Sequence, residues 1–182
     1  SLSPTPPGMT TLRRMKSLVV EGSVPYHQWV NATEDAYFLI GDIVGVRQTD
    51  GKLAPPSQLK VEQECLENIS RIPEIEGRFV LVRVGKNGVC DIWTDQFGRV
   101  DIYWQSLGGV TILATSLDHL PVANGGNILD SIGVSHSLTV YGSRPAKQHT
   151  LYRDVHRLGV NQGLRMVNGT LEILRRAFKL AS

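Results

Sequence analysis

The longest apolar run in the chain covers residues 36–47 and reads AYFLIGDIVGVR. Such a nearly continuous run of apolar and β-branched residues is typical of a strand that is covered on both faces. Shorter apolar stretches at residues 18–20 and 26–31 predict two strands before it. The first part of the chain is therefore predicted to be rich in β-structure.

Tight-turn sequences divide the middle of the chain into short alternating segments. Asn-Gly at residue 87, Asp-Gln-Phe-Gly at residue 95 and Gly-Gly at residue 108 occupy the turns. Turns of this length join neighbouring antiparallel strands. The segments 79–84, 89–94, 100–105 and 110–115 are therefore predicted to form one four-stranded antiparallel meander. Asn-Gly at residue 168 predicts a final hairpin of strands 164–167 and 171–178.

Two segments show the spacing of helices. Val61, Cys65, Ile69 and Ile72 recur at intervals of three and four residues, with glutamates on the other faces, and predict a helix. Residues 129–141 form a second candidate. Because these helices lie between stretches of strand, the order of elements predicts an α+β layered fold.

The beginning of the chain differs from the rest. Its first eight residues contain three prolines and no periodic pattern, and residues 1–15 are predicted to be a disordered leader before one domain, 16–182. No apolar run approaches the ~18 residues of a membrane span, and the stretch at 18–20 is too short for the core of a signal peptide. These features predict a cytoplasmic domain without a membrane partner.

The charge is nearly balanced overall but not along the chain. Nineteen basic and seventeen acidic residues give a net charge of +2, which does not favour binding to nucleic acid. From residue 142 onward, eight basic residues stand against two acidic ones, a balance of +6. This asymmetry marks either an interaction face or a solvated surface.

The chemistry-bearing residues form no known site motif by themselves. The five histidines include no pair at the spacing of a zinc half-site, and no Gly-x-Ser-x-Gly sequence occurs. Cys65 and Cys90, the only cysteines, lie on a predicted helix and a predicted strand and are expected to be buried free thiols. These patterns predict no catalytic residue, no metal and no cofactor.

Several short segments nevertheless follow one another in the order of a known family. The region from Tyr37 to Phe178 resembles the glutaminase domain of asparagine synthetase, a class II glutamine amidotransferase of the N-terminal-nucleophile hydrolase fold. The resemblance rests on the shared order and spacing of four segments. They are EGRFV at residue 76, DQFG at residue 95 with Tyr103 after it, LATS at residue 113 and LYRDVHRL at residue 151.

The resemblance implies a particular fold and activity. The family stacks two antiparallel sheets between two helical layers, so the expected architecture is a four-layer αββα sandwich. Its members hydrolyse glutamine with an N-terminal cysteine, whose thiolate attacks the side-chain amide while its free amine takes part in proton transfer. An Asn-Gly pair stabilises the tetrahedral intermediate through the Asn side chain and the Gly amide.

This sequence departs from the family at both catalytic elements. The chain starts with Ser1, and Cys65 and Cys90 have an amide nitrogen where an amine is required. The family's Asn-Gly-Glu-Ile becomes Ile40-Gly41-Asp42-Ile43, so the donor side chain is absent and the backbone donor of Gly41 remains. We therefore expect a vestigial glutamine pocket formed by Ile40, Gly41 and Asp42.

The resemblance also implies a partner. No Ser-Gly-Gly-x-Asp-Ser pyrophosphate loop occurs in the 182 residues, so an ATP-dependent amide-forming synthetase of the asparagine-synthetase type would have to be supplied separately. The expected function is a non-catalytic, glutaminase-like domain that docks such a synthetase. The basic residues of the last part of the chain provide a candidate docking face. They are Arg144, Arg153, Arg157, Arg175 and Arg176.

Two other functions stay open from the sequence. Cleavage between Lys16 and Ser17 would create an N-terminal serine, and the chain would then be an active glutamine amidohydrolase that supplies ammonia. Alternatively, the domain is a stand-alone scaffold or a ligand-binding protein that uses the altered pocket. The oligomeric state is also open, and it includes a homo-oligomer.

Overall fold

The fold is taken from a computed structural model, which describes residues 10–14, 19–22, 26–48, 51–54, 65–121, 128–139 and 150–176. The strands of this part are β1 (Thr10–Arg14), β2 (Val19–Gly22), β3 (Tyr26–Val30), β4 (Ala36–Arg47), β5 (Leu53–Ala54), β6 (Ile75–Val84), β7 (Cys90–Thr94), β8 (Tyr103–Leu107), β9 (Val110–Ala114), β10 (His156–Arg157), β11 (Gln162–Val167) and β12 (Thr170–Arg175). Its complete helices are α1 (Ser131–Thr139) and two 3₁₀ helices, Ile69–Glu74 and Leu117–His119. Strands thus dominate the described part of the chain.

The strands form antiparallel sheets. The large sheet has the order β12-β11-β7-β6-β4-β3, and the short strand β5 also pairs with β4. The small sheet has the order β10-β8-β9, and β1 pairs with β2 alone. This mixed, mostly β-architecture agrees with the predicted α+β class.

One hydrophobic core lies between the large and the small sheet. Phe38 and Val80 of the large sheet pack in the same cluster as Ile102, which directly precedes β8, and Leu158, which directly follows β10. Trp104 and Leu113 of the small sheet pack against this cluster. Burial of these side chains, at roughly 25 cal/mol per Å² of apolar surface, holds the sheets face to face. We call this cluster the shared core.

A second core covers the opposite face of the large sheet. Tyr37, Leu39 and Phe79 point away from the shared core and pack with Cys65, Leu66 and Ile72 of the segment that precedes β6. Successive residues of a strand point to opposite faces, so β4 contributes alternate side chains to the two cores. The prediction of a strand covered on both faces is therefore confirmed for residues 36–39.

The second half of β4 is different. A bulge places Val44 outside the pairing, because Ile43 pairs with Gly77 and Gly45 pairs with Glu76. The extra residue returns Val46 to the second core, on the same face as Ile43. Val44 itself is 59% exposed. The prediction of two covered faces is wrong for this stretch, because no described residue of the small sheet extends over it.

The predicted four-stranded meander is also wrong. β6 pairs with β7, and β8 pairs with β9, but β7 and β8 belong to different sheets. The intervening Asp-Gln-Phe-Gly turn does not close a hairpin, and residues 95–102 carry the chain from one sheet to the other. Turn sequences fix local direction, whereas sheet membership follows from which apolar faces pack together.

The first predicted helix is interrupted. Residues 65–67 are helical, but the Asn68 side chain accepts a hydrogen bond from the amide of Ser70 and starts a separate 3₁₀ helix. Pro73 lies inside this 3₁₀ helix and has no amide hydrogen to donate. Val61 lies outside the described residues. The second helix prediction is confirmed over Ser131–Thr139, and residues 140–141 lie outside the described part.

The stretch expected to be a disordered leader contains β1. Residues 10–14 pair with β2, with a register shift between Thr11 and Arg13. Residues 1–9 and 15 lie outside the described part of the chain. The boundary between residues 15 and 16 stays a prediction.

A buried carboxylate links three strands of the large sheet. Asp91 of β7 is fully buried, and it lies in register with Arg83 of β6 and Arg165 of β11. Arg165 Nε donates to Asp91 Oδ1 at 2.6 Å, and Arg83 Nη1 donates to Asp91 Oδ2 at 3.2 Å. Arg83 also donates to Asp35 at 3.0 Å. The hydrogen bonds that Arg165 donates to Asp91 raise the pKa of Arg165 above its usual value.

Replacement of Asp91 by Asn should destabilise the fold. Removing one partner of a buried ion pair costs roughly 3–5 kcal/mol, because the other charge stays buried. The side chains of Arg83 and Arg165 are 30% and 35% exposed, so water recovers part of this cost. We expect the free energy of unfolding, measured with urea, to fall by about 2 kcal/mol. Asp42→Asn, at an exposed position, is the matched control, and an equal loss in both variants would contradict the assignment.

Candidate functional site

The three residues of the predicted pocket lie in the middle of β4, where the strand leaves the sandwich. Ile40 is half-buried and packs against the shared core, whereas Gly41 and Asp42 are exposed. Across the pair with β6, Gly41 faces Phe79 and Asp42 faces Arg78. The three residues are consecutive in β4, and the structure places them where the covered part of this strand ends.

The backbone at Gly41 has a conformation that other residues rarely adopt. Its φ is +101°, and a Cβ atom there would lie 2.2 Å from the carbonyl oxygen of Arg78. On the opposing strand, a Cβ at Gly77 would lie 2.4 Å from the carbonyl oxygen of Asp42. Two glycines on facing strands thus permit a backbone approach that side chains would prevent.

The Asp-Gln-Phe-Gly turn supports this end of β6. Asp95 is buried, and its carboxylate accepts hydrogen bonds from the amides of Phe97 at 3.0 Å and Arg99 at 2.9 Å. The Asp95 amide donates to the carbonyl oxygen of Phe79, and Arg99 Nη1 donates to the carbonyl oxygen of Gly77 at 2.7 Å. The turn therefore fixes the strand that faces Gly41.

Charged side chains surround the exposed part of the pocket. Arg47 and Arg99 both approach Glu76, and the Arg99 Nη1 to Glu76 Oε2 distance is 3.8 Å. Asp42 and Arg78 lie opposite each other on the same face. The side chain of Ile40 offers no hydrogen-bond donor beside these charged groups.

The cysteines do not act at this site. Both are buried and neither forms a disulfide bond, as the sequence predicted. Burial, with a contribution from Asp91, raises the pKa of the Cys90 thiol to about 12, so the thiol stays protonated at neutral pH. The thiolate is the nucleophilic form, and Cys90 is therefore inert. Within the described residues, no cluster of three or more potential ligands could hold a metal ion.

The arginines of the predicted docking face lie on different elements. Arg144 is outside the described residues. Arg153 is exposed in the loop before β10, and Arg175 is exposed at the end of β12. Arg157 of β10 is paired with the carboxylate of Asp101. Arg176 turns inward and stacks on Trp93, with its guanidinium carbon 4.7 Å from the ring centroid.

Two groups of interacting residues escaped the sequence analysis. The first is the Asp35, Arg83, Asp91 and Arg165 network, and the second is the Trp93–Arg176 stack. A charged residue inside an apolar strand, as in VLVRV and VCDIW, is a signal of a buried ion pair. The spacing along the chain does not reveal which charges meet.

No protein-family model matches the chain, and no curated protein matches it. Among the described residues, no helix is long and apolar enough to cross a membrane.

Substitution of Gly41 should reveal the close approach to β6. Gly51 also has a positive φ, +81°, but no atom lies within 4 Å of a Cβ placed there. Both Gly→Ala variants strain the backbone, and only Gly41→Ala also forces the Cβ against Arg78. We expect Gly41→Ala to lose about 2 kcal/mol more unfolding free energy than Gly51→Ala, as overpacked sites do. Equal losses in urea denaturation would contradict this geometry.

Proposed function

We propose that the chain is a degenerate, non-catalytic glutaminase-like domain that docks an ATP-dependent amide-forming synthetase of the asparagine-synthetase type. The synthetase is supplied as another chain or as a further part of the same protein. The proposed architecture is the four-layer αββα sandwich of the N-terminal-nucleophile hydrolases, and the proposed compartment is the cytoplasm. Two antiparallel sheets with a shared core, and a helical segment against the outer face of the large sheet, support this architecture.

The observation that carries the proposal is the local structure of Ile40 and Gly41. Gly41 is exposed and has a positive φ. It lies at the position where the resemblance puts the family's oxyanion glycine, whose backbone amide is the donor. Ile40, at the position of the family's donor asparagine, packs against the shared core instead. Loss of one such donor costs roughly 3 kcal/mol of transition-state stabilisation. In this proposal, the segment therefore corresponds to the family's oxyanion backbone without its side-chain donor.

A second observation supports docking of a protein partner. Four large apolar side chains are exposed around the start of α1, and we call them the Leu129 patch. They are Ile128 (56% exposed), Leu129 (59%), Ile132 (54%) and Leu151 (36%).

Backbone contacts hold the Leu129 patch together. Leu129 forms a β-bridge with Tyr152, and the Asp130 amide donates to the carbonyl oxygen of Leu151 at 2.9 Å. The Arg153 amide donates to the carbonyl oxygen of Ile128, so a basic side chain adjoins the apolar surface. An apolar patch with a charged rim is typical of a protein-binding surface. Arg153 is therefore the arginine of the predicted docking face that fits the proposal best.

Capture from the source organism tests the docking role. A tagged chain should co-elute with one stoichiometric protein, and its sequence, determined by mass spectrometry, should contain the Ser-Gly-Gly-x-Asp-Ser loop. Against the purified partner, Ile132→Asp combined with Arg153→Glu should weaken binding at least about tenfold, as loss of interface anchors does. Isothermal titration calorimetry measures this change.

A matched variant separates docking from a general effect of added charge. Val30→Asp is compared with Ile132→Asp alone, because it introduces the same single negative charge at an apolar side chain of similar exposure, 58%, on the edge strand β3. Its affinity for the partner should equal that of the unaltered chain. A partner without the loop, no stoichiometric partner, or equal weakening by the two single substitutions would overturn the docking role.

The purified chain should not hydrolyse glutamine. Because Ile40 provides no donor and the described cysteines are buried, we expect no ammonia above the buffer level in a coupled enzymatic assay. Ammonia release proportional to protein concentration, from a chain whose N-terminus is Ser17, would instead establish the amidohydrolase alternative. Residue 17 lies outside the described part of the chain.

A further inference from the structure

A partly buried cation, Arg176, lies against Trp93 on the outer side of the large sheet, and no described carboxylate forms a salt bridge with it. The backbone of β11 has Gly163 opposite Trp93, and a Cβ there would lie 2.2 Å from the indole ring. Because Gly163 lacks a side chain, the indole can lie close to the backbone of β11, and the guanidinium of Arg176 stacks on the ring. The stack therefore holds Arg176 inside the protein.

The position of Arg176 is fixed by several hydrogen bonds. Its Nη2 atom donates to the carbonyl oxygen of Thr94 at 2.9 Å. Its amide donates to the carbonyl oxygen of Asn161, and Asn161 Nδ2 donates to the carbonyl oxygen of Arg176 at 2.6 Å. Arg176 is thus held by contacts with β7 and with the residue that directly precedes β11.

The remaining donors of this stack have no acceptor. Arg176 Nε and Nη1 and Trp93 Nε1 are all inaccessible to solvent and without a hydrogen-bond partner. Asn161 Oδ1, beside them, is also unpartnered. Buried polar groups in proteins are almost always hydrogen-bonded, so several orphans on three contacting residues require an explanation.

The electrostatics of Arg176 indicate which kind of acceptor its unpartnered donors favour. Burial lowers the pKa of Arg176 to about 10, so the guanidinium is still charged at neutral pH, and the nearby Asp95 only partly offsets this effect. The Asp95 carboxylate is itself bound by the amides of Phe97 and Arg99. Donors from a charged guanidinium and an indole favour an oxygen anion.

We propose that Arg176 and Trp93 form a buried binding site for a small carboxylate, whose oxygens accept hydrogen bonds from the free guanidinium and indole donors. A monoanion suits the site better than phosphate, because the cost of burying an ion rises steeply with its charge and one guanidinium supplies the compensation. The unpartnered oxygen of Asn161 is satisfied by a water that enters with the carboxylate. This site is independent of the docking role proposed above, since it uses other residues.

Indole spectra of the full ¹⁵N-labelled chain provide the direct test. The chain contains three tryptophans, and the Trp93 indole signal is assigned by its loss in Trp93→Phe. During titration with sodium acetate at constant ionic strength, this signal should move and saturate. The Trp29 indole donates to Glu67 at 2.9 Å and should stay in place as an internal control. A Trp93 signal that does not move with acetate or formate would overturn the proposal.

Thermal unfolding gives a second readout. At ten times the dissociation constant, binding raises the ratio of folded to unfolded protein about elevenfold, which corresponds to a Tm increase of about 4 °C for a domain of this size. Acetate also stabilises proteins non-specifically, but that effect does not saturate. The saturating increase should vanish in Arg176→Met and persist in Arg153→Met, which removes an exposed arginine.

Each further outcome decides the proposal. If Arg176→Met does not fold, Trp93→Phe serves as the second test. This variant keeps an aromatic ring but removes the indole donor, and it should at least halve the saturating increase in Tm. Stabilisation by phosphate that exceeds that by acetate would overturn the carboxylate assignment. Equal effects of acetate, formate, phosphate and chloride on Tm would show that only water satisfies these donors.

Discussion

The pairing of β4 with β6, with both faces covered, is the constraint on which the rest of the structure depends. Phe38 and Val80 point into the shared core, and Leu39 and Leu81 point into the second core. A strand with two apolar faces is stable only when separate layers cover both of them. The small sheet covers one face and residues 65–74 cover the other, so the central pair determines where these layers pack.

The candidate pocket arises where this constraint ends. Beyond Ile40 the shared core no longer covers β4, and two glycines, Gly41 and Gly77, let the backbones of β4 and β6 approach each other closely. The bulge at Val44 then returns the strand to the second core. Exposed residues of β4, Gly41 and Asp42, thus directly follow a buried stretch of the same strand. Ile40 lies at the boundary and packs against the shared core.

Buried charges divide the large sheet into two regions with different electrostatics. Asp91 joins β6, β7 and β11 because two arginines in register compensate its charge. Near the other end of β7, no described carboxylate forms a salt bridge with Arg176, which contacts the indole of Trp93 and donates to the carbonyl oxygen of Thr94. The paired charge of Asp91 helps to fix the register of its strands, whereas a buried charge that is only partly compensated costs free energy.

The sequence by itself determined the local features of this protein. The apolar run of β4, the hairpin between β6 and β7, the final hairpin and helix α1 follow from period, turn residues and length, which act over a few neighbouring residues. The candidate pocket at Ile40, Gly41 and Asp42 came from the family resemblance and stays a prediction.

Only the tertiary structure decided how the elements combine. The Asp-Gln-Phe-Gly turn looks the same whether it closes a hairpin or carries the chain between sheets, because the choice depends on packing between distant strands. Likewise, Arg175 and Arg176 are equivalent in the sequence, yet one is exposed and the other lies against Trp93. Burial and charge pairing depend on contacts between residues far apart in the chain, and a linear pattern does not contain them.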